Sequence, residues 1–179
     1  PLELLMEDKL LYKYYRHALK FDRANVQLSK IIRHIVHKNP RVKILEIGAG
    51  TGGTTRSLLD VIGNGKQSGF GPLASEYHFT DVSSGFFVEA QEQFADWNDI
   101  LIYRKLDIEA DPAKQGFELG SYDVIVACQV LHATKRMKTT IENVRRLLKP
   151  GGKLLMMEST KNQVDMQLTF GLLPGWWLS

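Results

Sequence analysis

The chain has a single cysteine, Cys128, among 179 residues. That excludes an intrachain disulfide, and it also excludes a thiolate zinc cluster or a redox pair, so no metal is expected. No apolar run approaches the ~18 residues a membrane span needs. The N-terminal stretch PLELLMEDKLLYKYYRH mixes charge with aromatics and lacks the apolar centre of a signal peptide. The expected compartment is the cytosol, with no membrane partner. A basic stripe is missing too: the net charge is +3 and the pI about 9.0, but the lysines and arginines are scattered. Lys135, Arg136 and Lys138 form one short run, and Arg145, Arg146 and Lys149 share a predicted helix with Glu142. Both groups read as solvated surface, and no nucleic-acid partner is expected. Internal repeats are absent.

What is present is ordinary for one globular domain, with 44% hydrophobic and 24% charged residues. Residues 1–179 are expected to form a single domain with a helical part over 1–40, a ligand-binding core over 41–160 and a partial C-terminal segment over 161–179. The helical part carries apolar residues at Leu10, Leu11, Tyr14, Tyr15 and Ala18, then at Leu28, Ile31, Ile32 and Ile35, and Pro40 stops the pattern. Beyond it, short apolar runs alternate with stretches of helical spacing, the signature of an α/β fold with a mostly parallel sheet and helices on both faces. Strands are predicted at 42–47, 77–82, 101–106, 122–127 and 153–158, and helices at 54–62, 84–95 and 137–148. Pro150-Gly151-Gly152 reads as a turn, and 63–76 as a surface loop. Only residues 159–179 follow the fifth predicted strand, so the sheet is expected to be truncated at its C-terminal strands, as in a piece of a longer protein.

The segment Glu46-Ile47-Gly48-Ala49-Gly50-Thr51-Gly52-Gly53 follows a predicted strand and opens a predicted helix. Its glycines let the backbone approach a nucleotide-like cofactor at the helix N-terminus. The spacing also satisfies G-x-G-x-x-G, so glycines alone leave a nicotinamide and S-adenosylmethionine both open. Glu46 leans toward the latter, because a carboxylate there attracts a sulfonium and an ammonium and repels a pyrophosphate. Asp81, with Val82 beside it, ends the second predicted strand and suits ribose hydroxyls. Asp107 ends the third and suits an adenine amino group, with Ile108 flanking the ring. Each acid has a plain alternative as a helix cap or loop residue. Three of them at successive strand ends form a line along the crevice where open α/β sheets bind ligands.

His132 follows the fourth predicted strand and Glu158 ends the fifth. Neighbouring strands lie about 4.8 Å apart, so both side chains project over the edge that carries the glycine loop. Imidazole is a usable base near neutrality, and a carboxylate on its second nitrogen fixes the tautomer and stabilises the imidazolium. The alternative is a structural histidine. His17, His34, His37 and His78 lack such placement and receive no role.

The segments ILEIGAGTGGTT, FTDVS, LDIE, SYDVIVACQVLHATK, LLKPGGKLLMMEST and GLLPGWW together resemble the C-methyltransferase domain of fungal highly reducing polyketide synthases, from about Tyr12 onward. The resemblance implies a Rossmann-like class I methyltransferase fold with S-adenosylmethionine as cofactor. It further implies methylation of the α-carbon of a β-ketoacyl thioester on an acyl carrier protein, with neighbouring synthase domains as partners. On this view His132 removes the α-proton and Glu158 supports the imidazole. Glu46, Gly48, Ala49, Gly50, Thr51, Gly52, Asp81, Val82, Asp107, Ile108 and Cys128 would line the cofactor. Gln129 departs from the pattern, where many relatives are expected to carry Asn; the longer amide is expected to change substrate contact. Rival readings are a small-molecule O-methyltransferase, a noncatalytic methyltransferase-like module, and a C5-cytosine enzyme with Cys128 as nucleophile. The last is disfavoured because Cys128 follows Ala127 where that reading wants a proline, and because no basic aromatic surface accompanies it.

Overall fold

The computed structural model describes residues 19–64 and 71–159. The helical reading of 1–18, the tip of the 63–76 loop and the segment after Ser159 lie outside them. The elements in chain order are α1 (Leu19–Lys38), β1 (Lys43–Ile47), α2 (Gly53–Ile62), β2 (Glu76–Asp81), α3 (Phe87–Gln93), β3 (Leu101–Lys105), β4 (Tyr122–Cys128), α4 (Met137–Leu147) and β5 (Leu148–Met157). The strands form one sheet in the order β3-β2-β1-β4-β5, and every pair is parallel. This is the doubly wound arrangement the alternating pattern predicts.

The central strands read as unbroken apolar runs because helices bury both of their faces. Ile44, Val124 and Val126 enter one core with Leu28, Ile32 and Val36 of α1 and Leu58, Leu59 and Ile62 of α2. Leu45, Ile47, Ile125 and Ala127 enter the other, with Val144 and Leu147 of α4. Successive strand residues thus alternate between two separate cores. Cutting one of them, such as Ile44 or Ile125, to alanine would cost roughly 2–5 kcal/mol. Spacing of four places Leu28, Ile32 and Val36 on one stripe of α1, and Pro40 prevents its continuation. Packing of that stripe brings α1 against α2, where Ser29 Oγ donates to the Ser57 carbonyl at 2.9 Å.

Two elements differ from the sequence expectation. Residues 84–95 do not form one helix: a 3₁₀ turn at Ser84–Phe86 precedes the short α3, and a second at Ala95–Trp97 follows it. Ser83 caps the first turn, accepting from Gly85 N–H at 3.3 Å. Pro150-Gly151-Gly152 is not a turn but part of β5. Leu148 pairs with Tyr122 while Lys153 pairs with Val124, so the extra residues are taken up as an irregularity in the ladder. A proline is tolerated there because, among the described residues, β5 pairs with β4 on one side only. Gly152 has no room for a side chain, since a Cβ would stand 2.9 Å from the Lys149 carbonyl and 3.0 Å from that of Tyr122. Among the described residues, no helix is long and apolar enough to cross a membrane.

Candidate active site

Parallel strands place all five carboxyl ends on one edge, and β1 and β4 are adjacent at its centre. The loop after β1 is held there by side chains from its neighbours. Asp81 Oδ2 accepts from Gly50 N–H at 3.0 Å, its Oδ1 accepts from Ser83 N–H at 2.9 Å, and Ala49 N–H donates to the Thr80 carbonyl at 2.9 Å. Gly48, Gly50 and Gly52 all have positive φ. A Cβ on Gly48 would collide with Val130 at 2.4 Å, so this glycine permits close packing against the turn after β4. A Cβ on Gly50 would meet nothing nearer than 3.9 Å, leaving that side of the loop open to a ligand.

Under the loop sits Glu46, 2% exposed. Its Oε2 accepts from Thr55 Oγ1 at 2.6 Å and from Tyr77 OH at 2.7 Å. Burial pushes its carboxyl up to about 7; the two hydrogen bonds oppose the rise, and the nearby Asp81 adds to it. A positive charge brought beside it would favour the ionised form.

A cavity of about 280 Å³ opens at this edge. Of the residues singled out from sequence, Glu46, Gly48, Ala49, Gly50, Thr51, Asp81 and Cys128 line it together. The Cys128 thiol is pushed up to about 12, by burial first and by Glu46 second, which leaves it protonated and without nucleophilic character at neutral pH. Gly52, Val82, Asp107 and Ile108 do not line the cavity. Gly52 faces the Phe94 ring, which a Cβ would approach to 2.7 Å. Asp107 and Ile108 follow β3, two strands from β1. The Asp107 Oδ1 accepts from Glu109 N–H at 2.9 Å, and Ile108 is buried in the second core. Asn143 of α4 fixes this loop, donating to the Ile108 and Ala110 carbonyls at 2.9 and 3.1 Å.

The cavity also takes in residues that sequence reasoning did not single out. Asn25 of α1 is 5% exposed, and its Oδ1 accepts from Thr54 Oγ1 at 3.0 Å. Phe86, Val130 and Met157 add apolar wall. A polar residue such as Asn25 on the buried stripe of an otherwise amphipathic helix is the one sequence signal that could have pointed there. Among the described residues, the lining carries two carboxylates and neither lysine nor arginine. That donor set fits a cationic, nucleoside-like group such as S-adenosylmethionine and does not fit a pyrophosphate.

At the rim, between β4 and β5, His132 lies in the 3₁₀ turn Leu131–Ala133. Its Nδ1 is hydrogen-bonded to Glu158 Oε2, while Glu158 Oε1 accepts from Leu131 N–H at 2.8 Å and Val130 N–H at 3.2 Å. The Glu158 hydrogen bond raises the His132 pKa, against partial burial, which lowers it. Burial raises that of Glu158, but the hydrogen bonds from His132, Leu131 and Val130 outweigh it and hold the carboxyl below its ordinary value. The imidazole side chain is 45% exposed, and among the described residues its Nε2 has no hydrogen-bond partner. A neutral ring bound at Nδ1 presents the Nε2 lone pair outward, the arrangement of a general base.

Comparison with known proteins agrees with this fold. The compactin diketide synthase mlcB of Penicillium citrinum is 59% identical over 179 residues, covering 100% of this chain and 7% of that protein. The trans-methyltransferase CalH, solved in complex with SAH, superposes with a TM-score of 0.88 at 41% identity, over 99% of this chain and 47% of its own. The CurJ carbon methyltransferase gives 0.87 at 39%, over 99% and 46%. The chain thus spans a small part of the curated synthase and a little under half of each solved methyltransferase. A family model described as a methyltransferase domain matches residues 45–154, and the chain belongs to that methyltransferase family.

Proposed function

We propose that this domain methylates the α-carbon of a β-ketoacyl chain carried as a thioester on an acyl carrier protein, within a polyketide synthase. The observation that carries this reading is the exposed His132 Nε2, backed by Glu158, at the rim of a cavity with the donors for a sulfonium cofactor. Bound S-adenosylmethionine supplies an electrophilic methyl group and leaves as the neutral thioether S-adenosylhomocysteine. Glu46 would face its cationic end, and Asp81 retains lone pairs for ribose hydroxyls beyond those used by Gly50 and Ser83. Outside the cavity, Val82, 60% exposed, would offer an apolar contact for an adenine that extends beyond it, and Asp107 an acceptor for the adenine amino group.

His132 takes the α-proton of the substrate onto Nε2, and the negative charge of Glu158 stabilises the imidazolium that results. A carbon flanked by two carbonyls is acidic enough for such a base, whereas an isolated ketone is not. The similarity to CurJ, a carbon methyltransferase, and to the compactin diketide synthase supports carbon as the acceptor and a synthase as the setting.

Mass spectrometry of a β-ketoacyl pantetheine thioester incubated with the protein and S-adenosylmethionine tests this. The expected product is heavier by one methylene and is absent with His132→Ala. Unmethylated thioester despite S-adenosylhomocysteine binding by calorimetry would remove the substrate assignment, and no binding would remove the cofactor assignment.

A further inference from the structure

Gln129 has a φ of 54° and is the only described residue other than glycine with a positive φ. A left-handed backbone costs a non-glycine residue about 1–2 kcal/mol, and it persists only where the surroundings fix it. Three hydrogen bonds do so here. Gln129 N–H donates to the Met157 carbonyl at 2.8 Å, its side-chain Nε2 donates to the same oxygen at 3.3 Å, and its Oε1 accepts from Ser159 Oγ at 3.0 Å. Met157 and Ser159 are the two chain neighbours of Glu158. We propose that Gln129 is a positioning residue, which clamps the chain on both sides of Glu158 and so holds its carboxylate against His132.

The lacing runs in both directions. Gln129 holds residues 157 and 159, while residue 158 holds 130, 131 and 132 through three hydrogen bonds of its own. The sheet contributes little at this point, because the β4–β5 ladder ends at Cys128 and Met157. The left-handed turn at 129 is what sends two successive N–H groups, of Val130 and Leu131, toward one carboxylate oxygen, a nest for an anion. The expected longer reach of this amide toward substrate is not what the geometry favours. Gln129 lines the cavity, but both polar atoms of its side chain are engaged by the protein.

The proposal rests on His132 as the base only for its consequence in catalysis; the coupling itself is read from titration. In the full chain, the His132 ¹³Cε1 resonance, assigned with His132→Gln, is followed against pH in Gln129→Gly, Gln129→Asn and Ser159→Ala. Glycine keeps the backbone conformation and removes the amide, whereas asparagine keeps both with one methylene less. The His132 protonation constant should weaken at least about threefold in Gln129→Gly, less in Ser159→Ala, and least in Gln129→Asn. S-adenosylhomocysteine affinity should change little in all three. An unchanged His132 titration in folded Gln129→Gly overturns the proposal, as does a collapse of S-adenosylhomocysteine affinity without a change in titration, which would make Gln129 a ligand contact. If Gln129→Gly does not fold, Ser159→Ala decides, because a titration identical to wild type there is incompatible with the clamp. Methyl transfer that survives in His132→Gln would refute the base and leave the coupling standing.

Discussion

Two of the described histidines are each hydrogen-bonded to a glutamate, and their rings are held in opposite ways. His78, in β2, is 4% exposed and has both ring nitrogens engaged, Nε2 with Glu76 Oε2 at 2.8 Å and Nδ1 with Tyr122 OH at 2.9 Å. Burial lowers its pKa despite Glu76. His132 has one nitrogen engaged and one facing outward, and its glutamate raises its pKa despite partial burial. The first ring is a cross-brace between β2 and β4; the second is the base of the reaction proposed above. What separates them is the location of the unpaired nitrogen, because a histidine with two fixed partners has no site left for a substrate proton.

The comparison breaks most sharply by removing each ring. His132→Ala should reduce methyl transfer by about 10²–10⁴-fold, the usual contribution of a general base, with little change in melting temperature. His78→Ala should leave the rate per folded molecule near wild type and destabilise the fold by about 2–4 kcal/mol. It opens a cavity and leaves the buried Tyr122 hydroxyl without its partner. Equal loss of rate in both variants, at equal folded fraction, would erase the distinction.

The glutamates sharpen it at smaller amplitude. Glu158→Gln keeps an acceptor for the Val130 and Leu131 N–H groups but turns an amide donor toward His132 Nδ1, which places the ring proton on Nε2 and removes the outward lone pair. A rate loss of roughly 10–100-fold is expected. The wild-type rate should rise with pH through the raised His132 pKa, since the neutral ring is the active form. In Glu158→Gln the main cause of the raise is gone, so that rise should move to lower pH. Glu76→Gln, at a side chain 39% exposed, should cost less than about 1 kcal/mol and leave the rate and its pH profile unchanged.

Much of this was legible in the sequence, for physical reasons that also mark where legibility stops. Strands buried on both faces appear as apolar runs, and the glycine loop and the paired positions of His132 and Glu158 follow from the parallel order of those strands. Asn25 left no comparable mark, because a single polar residue within a helical period does not reveal what faces it. The positions of Glu46 and Asp81 in the sequence suit either a ligand or a structural partner, and the structure engages both with hydroxyl or backbone donors while they line the cavity. Sequence spacing cannot show that double use. The bulge through Pro150-Gly151-Gly152 was hidden because the same residues make turns, and only the pairing with Tyr122 and Val124 tells them apart. The left-handed backbone at Gln129 was hidden for the opposite reason, since glutamine has no preference for it.

The smallest effect concerns stability against pH, and its sign separates the two histidines again. The folded pKa of His78 lies below its ordinary value of 6.5, so between the two the unfolded chain binds the proton more readily than the native state. The stability it contributes is complete above 6.5 and declines as pH falls from there through the folded pKa. For His132 the folded pKa is raised, so its contribution is complete below 6.5 and is lost as pH rises through the folded value. Thermal melts of wild type and His78→Asn across this range should therefore converge on the acid side, while those of wild type and His132→Asn should converge on the alkaline side. Both pairs converging on the same side would mean that one of the two rings carries its proton in the wrong state for the role its hydrogen bonds describe.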